Sequence, residues 1–158
     1  MAQVMANMGD NHTIRVVTSR FGELELDRQK VIAMTSPFLG FPDSKRFFLR
    51  PHSAESPFMW FQSLDDPNLA FVVIQSQILI PQYQPGIPEN IRGELDTDPE
   101  AALDILLILT IPKNNPQGMT ANLLGPLVIN SAKRLAKQVL LDPTIYAPCW
   151  PVFTEDNR

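Results

Sequence analysis

A single cysteine, Cys149, and two histidines, His12 and His52, are all that this chain has of its most reactive residue types. One thiol cannot close an internal disulfide, so a disulfide-stapled scaffold is excluded and a reducing compartment is expected. Metal centres draw on several His, Cys or carboxylate ligands at set spacings, and two isolated histidines with one cysteine do not supply them. His12 lies in a frayed start and His52 in a polar loop, so both read as solvated. Cys149 stands between Pro148 and Trp150 with no activating base in view, and reads as a packed or tolerated thiol, not a nucleophile. The chain also lacks a Walker loop, a Gly-rich dinucleotide turn and a Gly-x-Ser-x-Gly elbow. No catalytic residue, metal ligand or cofactor-binding residue can be named, and the expectation is a protein that is not an enzyme and carries no cofactor.

Long apolar runs are missing as well. The longest, Leu103 to Ile111, is broken by Asp104 and Thr110 and stopped by Pro112. It falls short of the roughly 18 residues that a spanning helix needs. The Met- and Asn-rich start has neither the basic residues nor the apolar core of a signal peptide. No membrane-spanning segment and no membrane partner are expected. Lys and Arg number 13 against 17 Asp and Glu, a net charge of −4. The balance is mildly acidic and phosphate binding needs clustered Lys and Arg, so nucleic acid is not expected as a direct partner, and a basic protein suits the balance better; a basic turn falls at Lys133 and Arg134.

Proline, by contrast, is abundant: 15 residues spread from Pro37 to Pro151, about twice the usual frequency. That spacing leaves little room for long helices and favours short strands with Pro-punctuated connections. The stretch from Phe58 to Ile74 organises the chain. Phe58 to Leu64 is aromatic-rich and Leu69 to Ile74 is β-branched and aromatic, both suited to a pleated, half-buried surface. Between them, Asp65, Asp66, Pro67 and Asn68 make a turn, because Pro presets φ and the short polar side chains bond nearby amides. A central β-hairpin follows from this. Asp65 and Asp66, adjacent on a turn, are expected to point apart.

Other strands fall around that hairpin. Thr13 to Thr18 and Glu23 to Leu26 form a hairpin with Gly22 as its permissive residue. Val31 to Met34, Lys45 to Arg50, Asp104 to Ile111, Met119 to Leu124, Leu127 to Asn130 and Ala136 to Leu141 read as strands. The apolar Asp104 to Ile111 run is expected to be buried on both faces. Ser36 to Asp43 is a loop whose Phe38, Leu39 and Phe41 are of the kind that plugs one end of a barrel or sandwich. Pro88 to about Leu95 suits one short helix with Pro88 in its first turn. Asn122 and Asn130 are expected to bond turn backbone. The fold class expected is all-β, a small antiparallel β-barrel-like single domain with at most one short helix. Residues 1–12 are assigned to a flexible start and 13–145 to the domain. Residues 146–158 are assigned to an extended tail whose Tyr146, Trp150 and Phe153 pack back on the body.

Two features invite a partner. The window Glu89 to Asp104 carries Glu89, Glu94, Asp96, Asp98, Glu100 and Asp104 against Arg92 alone, which is either a solvated face or a docking surface for a basic protein. The apolar Phe38, Leu39 and Phe41 are either core or a contact for an amphipathic helix. On these grounds the chain reads as a binding or scaffolding protein. A small β-barrel ligand-binding domain or an unrecognised hydrolase is the alternative, and direct RNA binding a third option that the charge disfavours. An enclosed cavity of about 300 to 1,000 Å³ would favour the ligand binder.

The residues also resemble a known family. Thr18-Ser19-Arg20-Phe21-Gly22-Glu23-Leu24-Glu25, Leu39-Gly40-Phe41, Arg46-Phe47, Trp60 to Val73, Thr120 to Asn130 and Lys137-Gln138-Val139 together are similar to the FliW flagellar assembly factors. The likeness covers about Ile14 to Tyr146. Before Leu39 the family usually has a Pro-Glu-Gly-like turn, where this chain has Met34-Thr35-Ser36-Pro37-Phe38. The resemblance implies a small antiparallel β-barrel-like fold and two cytoplasmic partners, flagellin and the RNA-binding regulator CsrA. It implies that the chain binds flagellin and, once free of it, binds CsrA beside its RNA surface and relieves repression of flagellin mRNA translation. Asp65, Asp66, Glu89, Glu94, Asp96 and Asp98 are the charge-based candidates for CsrA; Phe38, Leu39 and Phe41 are those for flagellin.

Overall fold

The computed structural model describes residues 12–98 and 100–154. Ten strands and two short helices follow in order: β1 (Thr13–Thr18), β2 (Gly22–Asp27), β3 (Ile32–Met34), β4 (Arg46–Pro51), β5 (Met59–Ser63), β6 (Ala70–Gln75), α1 (Ser76–Leu79), α2 (Glu89–Glu94), β7 (Asp104–Thr110), β8 (Thr120–Asn130), β9 (Leu135–Gln138) and β10 (Trp150–Pro151). Strands β3 to β9 close on themselves in the order β8-β7-β6-β5-β4-β3-β9, with β9 pairing back to β8. The result is a seven-stranded barrel, antiparallel throughout except for the short β3–β9 pair. β10 adds to the first residues of β8. Closure gives each barrel strand a neighbour on both sides for at least part of its length.

Strand alternation decides the lining. Phe47, Phe61, Val73, Leu106, Leu127 and Ile129 point inward and fill the barrel. Phe47 stacks on Phe61 at 4.4 Å between ring centroids with planes 4° apart. The central hairpin is β5–β6, and its turn is held as its sequence suggests: the Asn68 N–H donates to the Asp66 carboxylate and the Leu69 N–H to the Asp66 carbonyl. β7 is buried on both faces, Leu106 in the barrel and Leu107 and Leu109 outside it.

The outward face of β6, β7 and β8 is the second core. Ile74, Leu107, Leu109, Ala121 and Leu123 lie under Tyr83, Tyr146, Trp150 and Val152. The tail therefore packs back on the body and contributes β10. Tyr83 anchors this layer by donating its hydroxyl to the Leu123 carbonyl at 2.7 Å, and burial raises its pKa well above the usual phenol range, with Tyr146 adding to it. A third cluster seats α2 on the barrel through Ile91 and Leu95 against Val128 and Val139.

Three expectations need correction. There are two short helices, not one: after β6 the chain turns through α1 and lies against β6 and β7. Met119 to Leu124 and Leu127 to Asn130 are one 11-residue strand, β8, not two. Its pairing with β7 shifts between Ile108↔Asn122 and Leu106↔Leu127, so four β8 residues face one on β7. Asn122 makes this possible: its side-chain oxygen accepts from the Leu124 and Gly125 N–H groups that the ladder would otherwise leave unpaired. The last barrel strand is Leu135–Gln138, where an end near Leu141 was expected. Apart from His12, the expected flexible start lies outside the described residues, as does the end of the tail.

Candidate interaction site

Asp65 is a bonded group. Its carboxylate accepts the Lys45 N–H at 2.8 Å and the Arg46 N–H at 2.9 Å, and takes the Arg46 guanidinium at 2.9 and 3.2 Å. The side chain is 24% exposed. Burial alone would raise its pKa, but the backbone and guanidinium hydrogen bonds outweigh it and hold the carboxyl below the usual range. Asp66 faces its own turn and bonds Asn68. The two do point apart, and the place of Asp65 is at the head of β4, tying the β5–β6 turn to the neighbouring strand.

The apolar loop divides. Phe38 is 3% exposed, stacks on Phe71 at 4.6 Å and closes the barrel end beside Phe47 and Phe61. The Phe41 N–H returns to the Phe38 carbonyl at 2.9 Å, a tight turn that needs Gly40 at φ +86°. Leu39 (53% exposed) and Phe41 (38%) are left outside, Phe41 edge-on to Phe71. Phe38 is therefore a plug, while Leu39 and Phe41 make a small apolar knob.

In the acidic window, Glu94 pairs with Lys137 at 3.3 Å and Asp96 with Lys133 at 3.3 Å. Asn130 fixes the end of α2 by donating its amide to the Leu95 and Asp96 carbonyls. Glu89, in the first turn of α2, and Asp98 are exposed and have no ion-pair partner among the described residues. The candidates thus form two groups, Glu89, Glu94, Asp96 and Asp98 around α2, and Leu39 and Phe41 at the plugged barrel end; Lys137 links them by bonding Glu94 and the Ser36 hydroxyl at the base of the apolar loop.

At a barrel mouth lies a solvent-open cleft of about 360 Å³, with apolar walls of Ile32, Leu49, Leu106 and Ile129 and a rim including Lys30, Gln75, Asp104 and Arg134. It is not the enclosed cavity that would favour a ligand carrier. The fold also gathers cations that are far apart in sequence: Arg28, Arg46, Lys133 and Arg134 line one cleft. The sequence shows Lys133 and Arg134 as a basic turn but not their meeting with Arg28 and Arg46, because β3 and β9, which bring them together, pair across a hundred residues. A second missed group is the stack in which the Arg20 guanidinium lies 3.9 Å over Trp60, Phe21 meets Trp60 edge-on, and Arg50 caps Phe21 at 4.5 Å. It pins the β1–β2 turn to the barrel wall. Cys149 is exposed. Among the described residues no three His, Cys, Asp or Glu side chains are placed to hold a metal ion, and no helix is long and apolar enough to cross a membrane.

The family model described as "FliW protein" matches residues 15–151. A flagellar assembly factor FliW of Syntrophus aciditrophicus is 40% identical over 129 residues, covering 82% of this chain and 81% of the relative. That of Magnetococcus marinus is 34% identical over 140 residues, covering 89% and 85%. A crystal structure of the flagellar assembly factor FliW superposes with a TM-score of 0.81 at 31% identity, covering 90% of this chain and 99% of the other.

Proposed function

This chain belongs to the FliW family of flagellar assembly factors, and from that premise we propose that it is a non-catalytic, cytoplasmic regulatory binding protein with two partners. It binds flagellin. When flagellin has been exported, the freed protein binds CsrA and antagonises it, which relieves repression of flagellin mRNA translation.

The observation that carries this reading is family membership over almost the whole described chain, coupled to a barrel interior filled by Phe38, Phe47 and Phe61. A filled barrel works by its surface. Two groups of exposed residues, linked through Lys137, which bonds both Glu94 and Ser36, offer what the two partners need. The exposed carboxylates of Glu89 and Asp98 suit a basic protein and repel RNA phosphate near it. The Leu39–Phe41 knob suits the apolar face of a helix.

The test is calorimetry of the purified protein with its cognate CsrA, repeated with flagellin present. Saturable CsrA binding that flagellin abolishes is the expected result. Failure to bind either partner would remove the partner switch and return attention to the barrel-mouth cleft as a ligand site.

A further inference from the structure

Strand β1 is paired on one side only. Among the described residues its sole strand partner is β2, in a two-stranded sheet apart from the barrel. The Arg28 N–H donates to the His12 carbonyl at 2.9 Å, which sets the phase of the ladder. With Thr13 opposite Asp27, Ile14, Val16 and Thr18 exchange bonds with β2, and Thr13, Arg15 and Val17 turn their N–H and C=O groups to the other edge. No described strand pairs with that edge along Thr13 to Val17; just beyond it the Ser19 N–H donates to the Pro67 carbonyl at 2.9 Å, so the β5–β6 turn closes the edge at that end. Val17, 55% exposed, stands on it. Such an edge is a template for an added strand.

That edge borders a groove of about 470 Å³ whose far wall includes Leu64, Asp65 and Pro67. Through Ile14, Arg28 and Arg46 the groove runs on into the cationic cleft of about 320 Å³, which has an apolar floor of Val31, Ala33 and Leu135 and no acidic lining residue. Arg46 is satisfied by Asp65 and Lys133 by Asp96. Arg28 and Arg134 have no ion-pair partner among the described residues. Arg134 holds φ +58° in the β8–β9 turn, a conformation that favours Gly or Asn, so the turn does not explain an arginine there. In a chain of net charge −4, an open strand edge running into two uncommitted guanidiniums is a charge-selective feature.

We propose that this groove receives an extended acidic segment of a partner protein, which adds to β1 as a third strand and sets its carboxylates on Arg28 and Arg134. Backbone bonds to Arg15 and Val17 supply affinity that is blind to side chains, and the guanidinium forks select carboxylates. The chain's own first eleven residues carry one acid, Asp10, and are a poor match for that charge. The inference is independent of the CsrA and flagellin reading.

The test uses the full chain and a fluorescein-labelled, end-capped Glu-Thr-Glu-Thr-Glu-Thr peptide, read by anisotropy at low salt. Saturable binding is expected, weakened about tenfold or more by Arg28→Gln with Arg134→Asn, a pair that suits the native backbone. Replacing the peptide's Glu by Gln should weaken binding to the same degree. Val17→Pro removes an N–H that faces away from β2, so the β1–β2 ladder survives while strand addition is blocked and binding falls. If Val17→Pro disturbs the fold by circular dichroism, an N-methylated version of the peptide makes the same test from the other side. Absence of saturable binding overturns the proposal. So does a peptide that binds Val17→Pro or binds when N-methylated as well as before, or one that tripolyphosphate displaces from the wild type with no protection of the Arg15 and Val17 amides from exchange: the groove would then be an anion patch and not a strand acceptor.

Discussion

At the head of β4 two backbone N–H groups and a guanidinium converge on the Asp65 carboxylate. Replacing Asp65 by Asn keeps the shape and removes the charge, so the fold should lose about 2 kcal/mol at neutral pH. The pKa is lowered in the folded protein, so this stabilisation is present above the unfolded value of 3.8 and disappears as pH falls through the folded value. Urea unfolding of both proteins across pH should show their difference widest near neutrality and closing below about pH 4. For the same reason, reversing Asp65 to test CsrA binding would confound contact with folding. Phe38 and Leu39 are neighbours with opposite fates. Phe38→Ala should cost about 3 to 5 kcal/mol by opening a cavity among Phe47, Phe61 and Phe71. Leu39→Ser should change stability by less than about 0.5 kcal/mol and, if the knob meets flagellin, weaken that binding alone. Chemical denaturation paired with a flagellin titration separates the two.

Elements owe their places to polar anchors on apolar layers. β8 serves β7, β9 and β10 at once because its irregularity lets one half turn relative to the other. Asn122 closes that irregularity with two N–H bonds, so Asn122→Ala should destabilise the protein by about 1 to 3 kcal/mol. Thermal unfolding would check it, and a variant as stable as wild type would mean that water satisfies those amides. α2 is held in the same manner, with Leu95 beneath it and Asn130 bonding its last carbonyls. That rigid mounting is what makes its exposed carboxylates usable as a surface. The Thr13–Asp27 hairpin was readable because a period of two and Gly22, at φ +72°, are both local signals. The continuity of β8 was not, because Gly125-Pro126 reads locally as a turn and only Asn122 and the pairing with β7 carry the strand through it.

For the whole molecule, the distribution of charge counts for more than its sum. Glu89→Lys with Asp98→Lys leaves the core untouched, since both side chains are exposed. If α2 faces CsrA, this variant should bind it about tenfold or more weakly at low salt, with the gap narrowing as salt screens it. Equal affinities across a salt series would place the contact elsewhere. The acidic balance speaks against nucleic acid as a direct partner, but it does not show how the cations are distributed. Folding brings Arg28 and Arg46 to the adjacent Lys133 and Arg134 at the β3–β9 seam.

Along the chain itself, the β class, most strand positions, the central hairpin and its Asp65–Asn68 turn were all legible. Each depends on alternation, β-branching or turn chemistry within a few residues. The family was legible too, because its motifs occur in order from Thr18 to Val139. Closure of the barrel, the burial of Phe38 beside an exposed Leu39, the commitment of Asp65 to Arg46 and the open edge of β1 were decided only in three dimensions. The physical reason is common to all four: each is set by pairing or packing between segments distant in sequence, and local preference is the same whichever partner a residue finds.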